Sequence, residues 1–329
     1  MLTRTLDATL LRFGFLRNKI DEAVSQDVVR SLKNIWVRYR GSVNPYIKKL
    51  SIGGIDSSYN HIEYRGFALY VVNTVSVVLD VKREEIVNGS VDVDVVTSPN
   101  LEHELSLLSM CMEIETMNKM INDVDIVLID GSLTAMFFKL YKASIDDGYE
   151  ILESRGINIS KTLKELVYTI ALNPRKVVFI SKNSNSKDLL GLVKGDIYYF
   201  ERYTEFVSGF TKPIDLANSQ HLGMASIARL FKQYTKKLTG LDVSIMLTYV
   251  RFEDFSRVYR IEFASDSVDE AIDRVKYVVD SLSDVIVSGY PYPLIRAHNL
   301  AKISNSDVER VAILLGISKD PRTRESFLR

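Results

Sequence analysis

Two segments of the chain end an apolar run in an aspartate followed by small residues. One is Ile52-Gly53-Gly54-Ile55-Asp56-Ser57-Ser58, the other Val124-Asp125-Ile126-Val127-Leu128-Ile129-Asp130-Gly131-Ser132. Between them a helical pattern over 100–122 carries Glu113. Carboxylates delivered by strand ends and by an intervening helix can gather oxygen ligands around a divalent cation. Each aspartate alone has a plainer reading, because Asp before Ser or Gly caps helices and starts turns. Two of them after buried strands, with an inward glutamate between, favour metal-assisted phosphodiester chemistry.

Angular position separates the glutamates of the 100–122 segment. At roughly 100° per residue, Leu101, Leu105, Leu108 and Met112 form one apolar stripe, and Met110, Ile114, Met117 and Ile121 a second. Glu113 lies between the stripes, beside Ser106, Met117 and Met120, and is expected to point at the sheet. Glu104 and Glu115 fall on the polar side with Cys111 and Asn118. A buried Glu113 needs a compensating partner, either a metal ion or an internal Lys or Arg. Asp92 and Asp94 alternate along an exposed strand and read as solvated. Asp125 begins its strand, at the end opposite Asp130. In Gly289-Tyr290-Pro291-Tyr292-Pro293-Leu294-Ile295-Arg296-Ala297-His298, helix geometry after Pro293 puts His298 on the face of Leu294 and Ala301. His61, His103 and His221 read as ordinary satisfied histidines.

The elements that must position these groups follow from periodicity. Residues 1–37 read as amphipathic helix, with Leu6, Leu10, Phe13, Ile20, Ala23 and Val24 at helical spacing. Strands are expected over 50–56, 67–79 and 91–95, the last half exposed. After the 100–122 helix come a buried strand at 124–130 and helices near 133–146 and 160–172. A strand is expected at 176–180, a further one at 196–203, and a helix at 222–238. Strands at 243–252 and 258–264, a helix at 267–282, and short helices after Pro293 and Asn305 complete the chain. Strand and helix alternate without repeat or linker, which fits one α/β domain with a mixed sheet, flanking helices and added strands and helices.

Composition narrows the class. Over 329 residues, Lys+Arg and Asp+Glu are each 42, so the net charge is zero and any nucleic-acid partner needs a locally basic surface. The single cysteine, Cys111, excludes an intramolecular disulfide framework and a cysteine-rich zinc site. Arg4, Asp7 and Arg12 interrupt the N-terminal apolar run, arguing against a signal peptide. No apolar run approaches the roughly 20 residues of a membrane helix, so the expected location is the cytoplasm.

With these residues in hand, the chain resembles the NurA family of DNA-end-processing nucleases. The matching pieces are Gly54-Ile55-Asp56-Ser57-Ser58, Glu113 on its helix, Val127-Leu128-Ile129-Asp130-Gly131-Ser132, and Tyr290-Pro291-Tyr292-Pro293 leading to Ala297-His298. The resemblance implies an RNase H-like core within a single domain over 1–329. A helical segment would span 1–47, the catalytic core with insertions 48–303, and a C-terminal helix and tail 304–329. It implies a manganese-dependent deoxyribonuclease, 5′ to 3′ exonuclease and single-strand endonuclease, with Mg²⁺ as a substitute. It further implies a homodimer that resects DNA ends for recombinational repair with a hexameric HerA-type ATPase. Carried over, Asp56, Glu113 and Asp130 become metal ligands. His298 becomes a further ligand or a proton-transfer group, and Tyr290 a supporting active-site residue.

Hydrolysis of this kind needs a hydroxide nucleophile, charge neutralisation and leaving-group stabilisation, which two ions roughly 3.5–4 Å apart supply. Lys182, just past the 176–180 strand, is a speculative phosphate contact. Arg38, Arg40, Lys48 and Lys49 precede the first strand. Arg229, Lys232, Lys236 and Lys237 read as a solvated helix face. Tyr198, Tyr199 and Phe200 could stack bases, with packing the default reading. The rival functions are a non-catalytic adaptor for a motor ATPase and another RNase H-like nuclease such as a junction resolvase.

Overall fold

The computed structural model describes residues 2–20, 24–41, 50–146, 148–219 and 221–317. Ala23, Lys48, Lys49 and the tail beyond 317 lie outside the described residues. The chain opens with α1 (Leu2–Leu11), α2 (Phe13–Ile20) and α3 (Gln26–Ile35), then β1 (Trp36–Arg38). Next come β2 (Ile52–Tyr64), β3 (Phe67–Leu79), β4 (Glu85–Val96), α4 (Leu101–Met120) and β5 (Ile126–Asp130). Helices α5 (Leu133–Ala143), α6 (Glu150–Ser154) and α7 (Ile159–Leu172) precede β6 (Val177–Ser181) and α8 (Asp196–Tyr203). Strands β7 (Gly209–Thr211) and β8 (Ile214–Asp215), α9 (Leu222–Thr239), β9 (Ser244–Arg251), β10 (Tyr259–Ser265) and α10 (Val268–Leu282) follow. The described part ends with β11 (Ile286–Val287), β12 (Tyr290–Pro291), α11 (Tyr292–Ala301) and α12 (Asn305–Leu314).

One large mixed sheet runs β1-β7-β9-β10-β6-β5-β2-β3-β4, with β8 also on β9. At its centre β5 is parallel to β2 and to β6. Such a strand is covered on both faces and reads as an unbroken apolar run, as Ile126-Val127-Leu128-Ile129 does. Helices α4, α5, α7 and α9 share one core against the sheet, and α10 and α11 close the other face. Ala297 and Ala301 of α11 pack on Val75 and Val77 of β3. Among the described residues no helix is long and apolar enough to cross a membrane.

Several sequence expectations change. Asp56 does not end its strand, because β2 continues to Tyr64 in a hairpin with β3; what stops at Ile55↔Ile129 is the parallel pairing with β5. Residues 196–203 are helix, not strand. Gly195 lies in extended conformation ahead of the helix, and the buried Asp196 accepts from Leu189 N and Leu190 N at 2.8 and 3.1 Å. That tertiary anchoring overrides the β propensity of Tyr198-Tyr199-Phe200. Tyr199 and Phe200 are core, Phe200 lying 5.8 Å from Trp36 and 5.2 Å from Tyr249. The N-terminal helical pattern ends at Ile35, after which β1 pairs with β7.

Helix α4 is wet at Glu115, as expected, and at Lys119, but not along Glu104 and Cys111. It packs on β2 and β3 and is covered by α5, α6 and α7, so Glu104 and Cys111 are buried. Glu104 accepts from Ile151 N at 2.7 Å and Ser98 Oγ at 2.6 Å, tying α6 down. On β4 the expected polarity is reversed. Asp92 turns toward the protein, bound by Arg155 at 2.9 Å and Tyr70 Oη at 2.7 Å, while Val91, Val93 and Val95 are exposed.

Candidate metal centre

The register of the sheet sets the two aspartates side by side. Ile55 pairs with Ile129, the last parallel pair, so Asp56 and Asp130 follow it side by side on neighbouring strands. Asp130 itself pairs with Ile180 of β6, and Gly131 N donates to Ile180 O at 3.0 Å. Ser181 Oγ donates to Gly131 O at 2.7 Å, pinning the turn behind the carboxylate.

Helix α11 brings His298. Pro291 starts it and Pro293 sits in its first turn, where a missing N–H costs nothing. The helix crosses β2 at Gly54, where an added Cβ would stand 2.6 Å from Pro293 C and 2.8 Å from Leu294 N. Backbone cannot yield as a side chain tip can. Gly54→Ala is therefore expected to cost about 1–3 kcal/mol by overpacking and to weaken Mn²⁺ binding as α11 is pushed off β2. Thermal melting and titration calorimetry check both; unchanged values would mean that α11 docks independently of Gly54.

His298 Nδ1 and Asp56 Oδ2 are 2.7 Å apart, so the tautomer protonated on Nδ1 donates to Asp56 and leaves Nε2 free. One ligand atom from each of Asp56, Asp130 and His298 falls within 4.8 Å of the others. Asp56 is buried and accepts from Ser57 N at 2.9 Å. Burial and the neighbouring Asp130 push its pKa up, and the bonds from His298 and Ser57 pull it partly back.

Glu113 stands behind this trio. It is buried, points at β2, and its carboxylate takes the Ser57 hydroxyl, which also lies 2.6 Å from Ser109 Oγ. Burial pushes its pKa up to about 8, with Asp56 and Asp130 adding to the shift and Ser57 opposing it. A carboxyl with a folded pKa of about 8 against an ordinary 4.5 holds its proton more tightly in the native state. Metal-free stability is thus highest below about 4.5 on this account and falls as pH rises to about 8, levelling beyond. In chelator the melting temperature is expected to fall from pH 5 to 8. Glu113→Gln is expected to flatten that slope; an equal slope in both proteins would place the titration elsewhere.

Two further groups border the carboxylates. Lys182 Nζ is 2.6 Å from Asp130 Oδ2 and 4.7 Å from the centroid of the Tyr290 ring. Tyr290 is buried, its hydroxyl has no hydrogen-bond partner among the described residues, and burial followed by the charge of Asp130 raises its pKa. A donor set of two carboxylates and an imidazole fits a divalent cation.

Sequence reasoning missed the charged cluster behind Asp130. Glu262 accepts from Thr134 N at 2.8 Å and from Ser132 Oγ at 3.0 Å, holding the start of α5. Arg260 binds Glu262 through Nε at 2.7 Å and pairs with Asp188. The available signal was a charge pair inside the apolar strand Tyr259-Arg260-Ile261-Glu262-Phe263. Of the other basic residues considered, Lys232 pairs with Asp242 at 3.1 Å and Arg38 with Glu205 at 2.5 Å. His221 caps α9, and His103 lies against Tyr149.

A family model described as the NurA domain matches residues 50–303. Over 317 residues the chain is 26% identical to the DNA double-strand break repair nuclease NurA of Sulfolobus acidocaldarius, covering 91% of this chain and 90% of that protein. The crystal structure of the NurA nuclease from Sulfolobus solfataricus superposes with a TM-score of 0.69 at 23% identity, over 96% of this chain and 95% of that one. A crystal structure of NurA bound to dAMP and manganese gives a TM-score of 0.60 at 13% identity, over 98% and 99% of the two chains. At these identities the structural likeness is one of fold.

Proposed function

This chain belongs to the NurA family, and from that premise we propose that it is a manganese-dependent deoxyribonuclease acting on single strands and duplex ends in double-strand break repair. The observation that carries the reading is the convergence of Asp56, Asp130 and His298 from three separate elements, with Glu113 buried behind them. A non-catalytic adaptor has no use for a buried Asp56 whose charge the neighbouring Asp130 disfavours.

Asp56, Asp130 and His298 would hold Mn²⁺ or Mg²⁺, with Glu113 extending the donor set toward the two ions of our reading. A bound ion of this type supplies charge neutralisation at a phosphate and a more acidic water. The residues themselves have separable tasks. Lys182 sits where a phosphate would approach Asp130, and phosphate binding would draw its ammonium from the carboxylate. The buried Tyr290 ring backs Lys182, whose ammonium lies 4.7 Å from its centroid. His298 is half exposed, so Nε2 can serve as a ligand in the neutral ring or, in the imidazolium, protonate the leaving oxygen.

Incubating the chain with labelled single-stranded DNA, with Mn²⁺ and with chelator, tests the activity. Metal-dependent shortening is expected, and its absence would remove the nuclease reading. Both 5′ to 3′ polarity and partnership with a HerA-type hexameric ATPase are part of the proposal. End-labelled substrates read the polarity, and co-migration with such an ATPase reads the partnership. Homodimer formation is supported by β4, a long edge strand whose Val91, Val93 and Val95 are exposed. Light scattering at micromolar concentration should give twice the chain mass; the monomer mass would reject the dimer.

A further inference from the structure

Lys182 faces two ways. Besides Asp130, it lines an open groove of about 710 Å³ on the β6–β10 side of the metal centre. The basic residues among its lining are Lys182, Lys187, Lys194, Arg251 and Arg257, against one acid, Glu201. On a chain of zero net charge this is a local basic surface, continuous with the carboxylates through one side chain.

At the far side of the groove Phe206 and Phe255 lie nearly parallel, with ring centroids 6.2 Å apart and planes 13° apart. Both are exposed, Phe255 at 85%. Neither ring is there for the core. Both residues and Glu205 hold left-handed backbone, with φ of 56°, 63° and 55° for Phe206, Phe255 and Glu205. That is costly for residues with large side chains. The arrangement is nonetheless fixed. Phe255 N donates to Phe206 O at 2.8 Å, and Ser208 N to Asp254 Oδ1 at 2.7 Å. Buried Arg251 sits 5.8 Å from the Phe206 ring and donates to Thr204 Oγ1 and Ser256 O at 2.7 and 3.0 Å. The charge of Glu205 is met by Lys33 and Arg38, each at 2.5 Å.

We propose that this groove seats the single DNA strand leading to the metal centre, with a base stacked on Phe255 and phosphates on Lys182, Lys187 and Arg257. Flat exposed rings beside a row of cations are the combination that binds single strands without reading sequence, because every base offers a π-face. The proposal rests on the nuclease reading for its substrate, and its test does not depend on cleavage.

Fluorescence anisotropy with a labelled oligodeoxythymidylate in chelator reads binding alone. Phe255→Asn, alone and with Phe206→Asn, is expected to weaken binding about tenfold, since asparagine keeps the left-handed backbone but offers no ring. On an oligonucleotide of the same length lacking bases, wild type and variants should bind alike. The Lys187→Ala/Arg257→Ala variant should bind with a salt slope shallower by about 0.7 per lost phosphate contact. Equal affinity of the phenylalanine variants and wild type for the thymidylate, or no binding by wild type, would overturn the groove assignment. Wild type that binds as expected yet never cleaves with Mn²⁺ would overturn the nuclease reading and leave the groove standing.

Discussion

Asp56→Asn is expected to lower manganese-dependent cleavage by about a thousandfold while leaving the metal-free protein at least as stable as wild type. The first half follows from position. Asp56 shares its ligand cluster with Asp130 and His298, and removing one charged ligand forfeits several kcal/mol of charge stabilisation at about 1.36 kcal/mol per tenfold. The second half follows from burial. Folding brings Asp56 out of water and beside Asp130, and both effects disfavour its charge. A neutral isostere removes those penalties and keeps an acceptor toward His298. Melting in chelator should therefore give an equal or higher temperature for the variant. Added Mn²⁺ should raise the wild-type melting temperature by mass action and leave the variant unmoved. Cleavage that survives in Asp56→Asn, or a variant still stabilised by Mn²⁺, would take Asp56 out of the metal site. Asp130→Asn is expected to lose cleavage alike, with the added release of Lys182 from its 2.6 Å contact.

The second large effect is structural. Arg260 is almost fully buried and joins two carboxylates, Asp188 and Glu262, with Ser186 Oγ also accepting at 2.6 Å. Burial alone would depress its pKa, but Glu262, Tyr249 and Asp188 more than reverse that, so the guanidinium stays charged. Arg260→Met leaves two buried carboxylates without their cation and should cost about 3–5 kcal/mol. At this chain length that is a fall of roughly 4–7 °C in melting temperature. Arg260→Lys should recover little, because one ammonium cannot span both acids as a fork does. Adding Glu262→Gln to Arg260→Met should return part of the loss, a coupling that a double-mutant cycle reads. A loss below about 1 kcal/mol would mean that the acids find other partners. Since Glu262 anchors Ser132 and Thr134, cleavage should fall further than stability alone explains, through a loosened Asp130.

How much of this was legible depended on whether a local pattern and the tertiary environment agree. The β3 run Phe67–Leu79, the α4 segment and the buried β5 run are self-consistent, so periodicity found them within a residue or two. Asp56, Asp130 and Glu113 were legible as candidates because spacing fixes which side of an element each occupies. Glu104 and Cys111 were misassigned because angular reasoning supposes a polar side wet throughout, and helices α6 and α7 cover part of it while Glu115 and Lys119 stay exposed. The 196–203 helix was invisible because its anchor, Asp196, bonds to loop amides whose approach no local pattern encodes. Asp92 looked solvated until Arg155, far along the chain, closed over it. The Phe206–Phe255 pair joins two loops that meet only in the folded chain.

Strand β2 outlasts its parallel partner. Beyond Asp56 it runs on to Tyr64, roughly 26 Å at about 3.3 Å per residue, paired only with β3. One side of that extension is lined by α4, and on the other α11 and α12 fasten on through Ile303 N to Ser58 Oγ and Asn60 to Asn305. Among the described residues the carboxylates therefore lie beside a raised flank, with β6 and β10 on the other side. For a polymer at such a site the two directions along the sheet are not equivalent. Directional digestion would then be a matter of architecture, set by which flank of the sheet is fenced, before any base or phosphate is recognised.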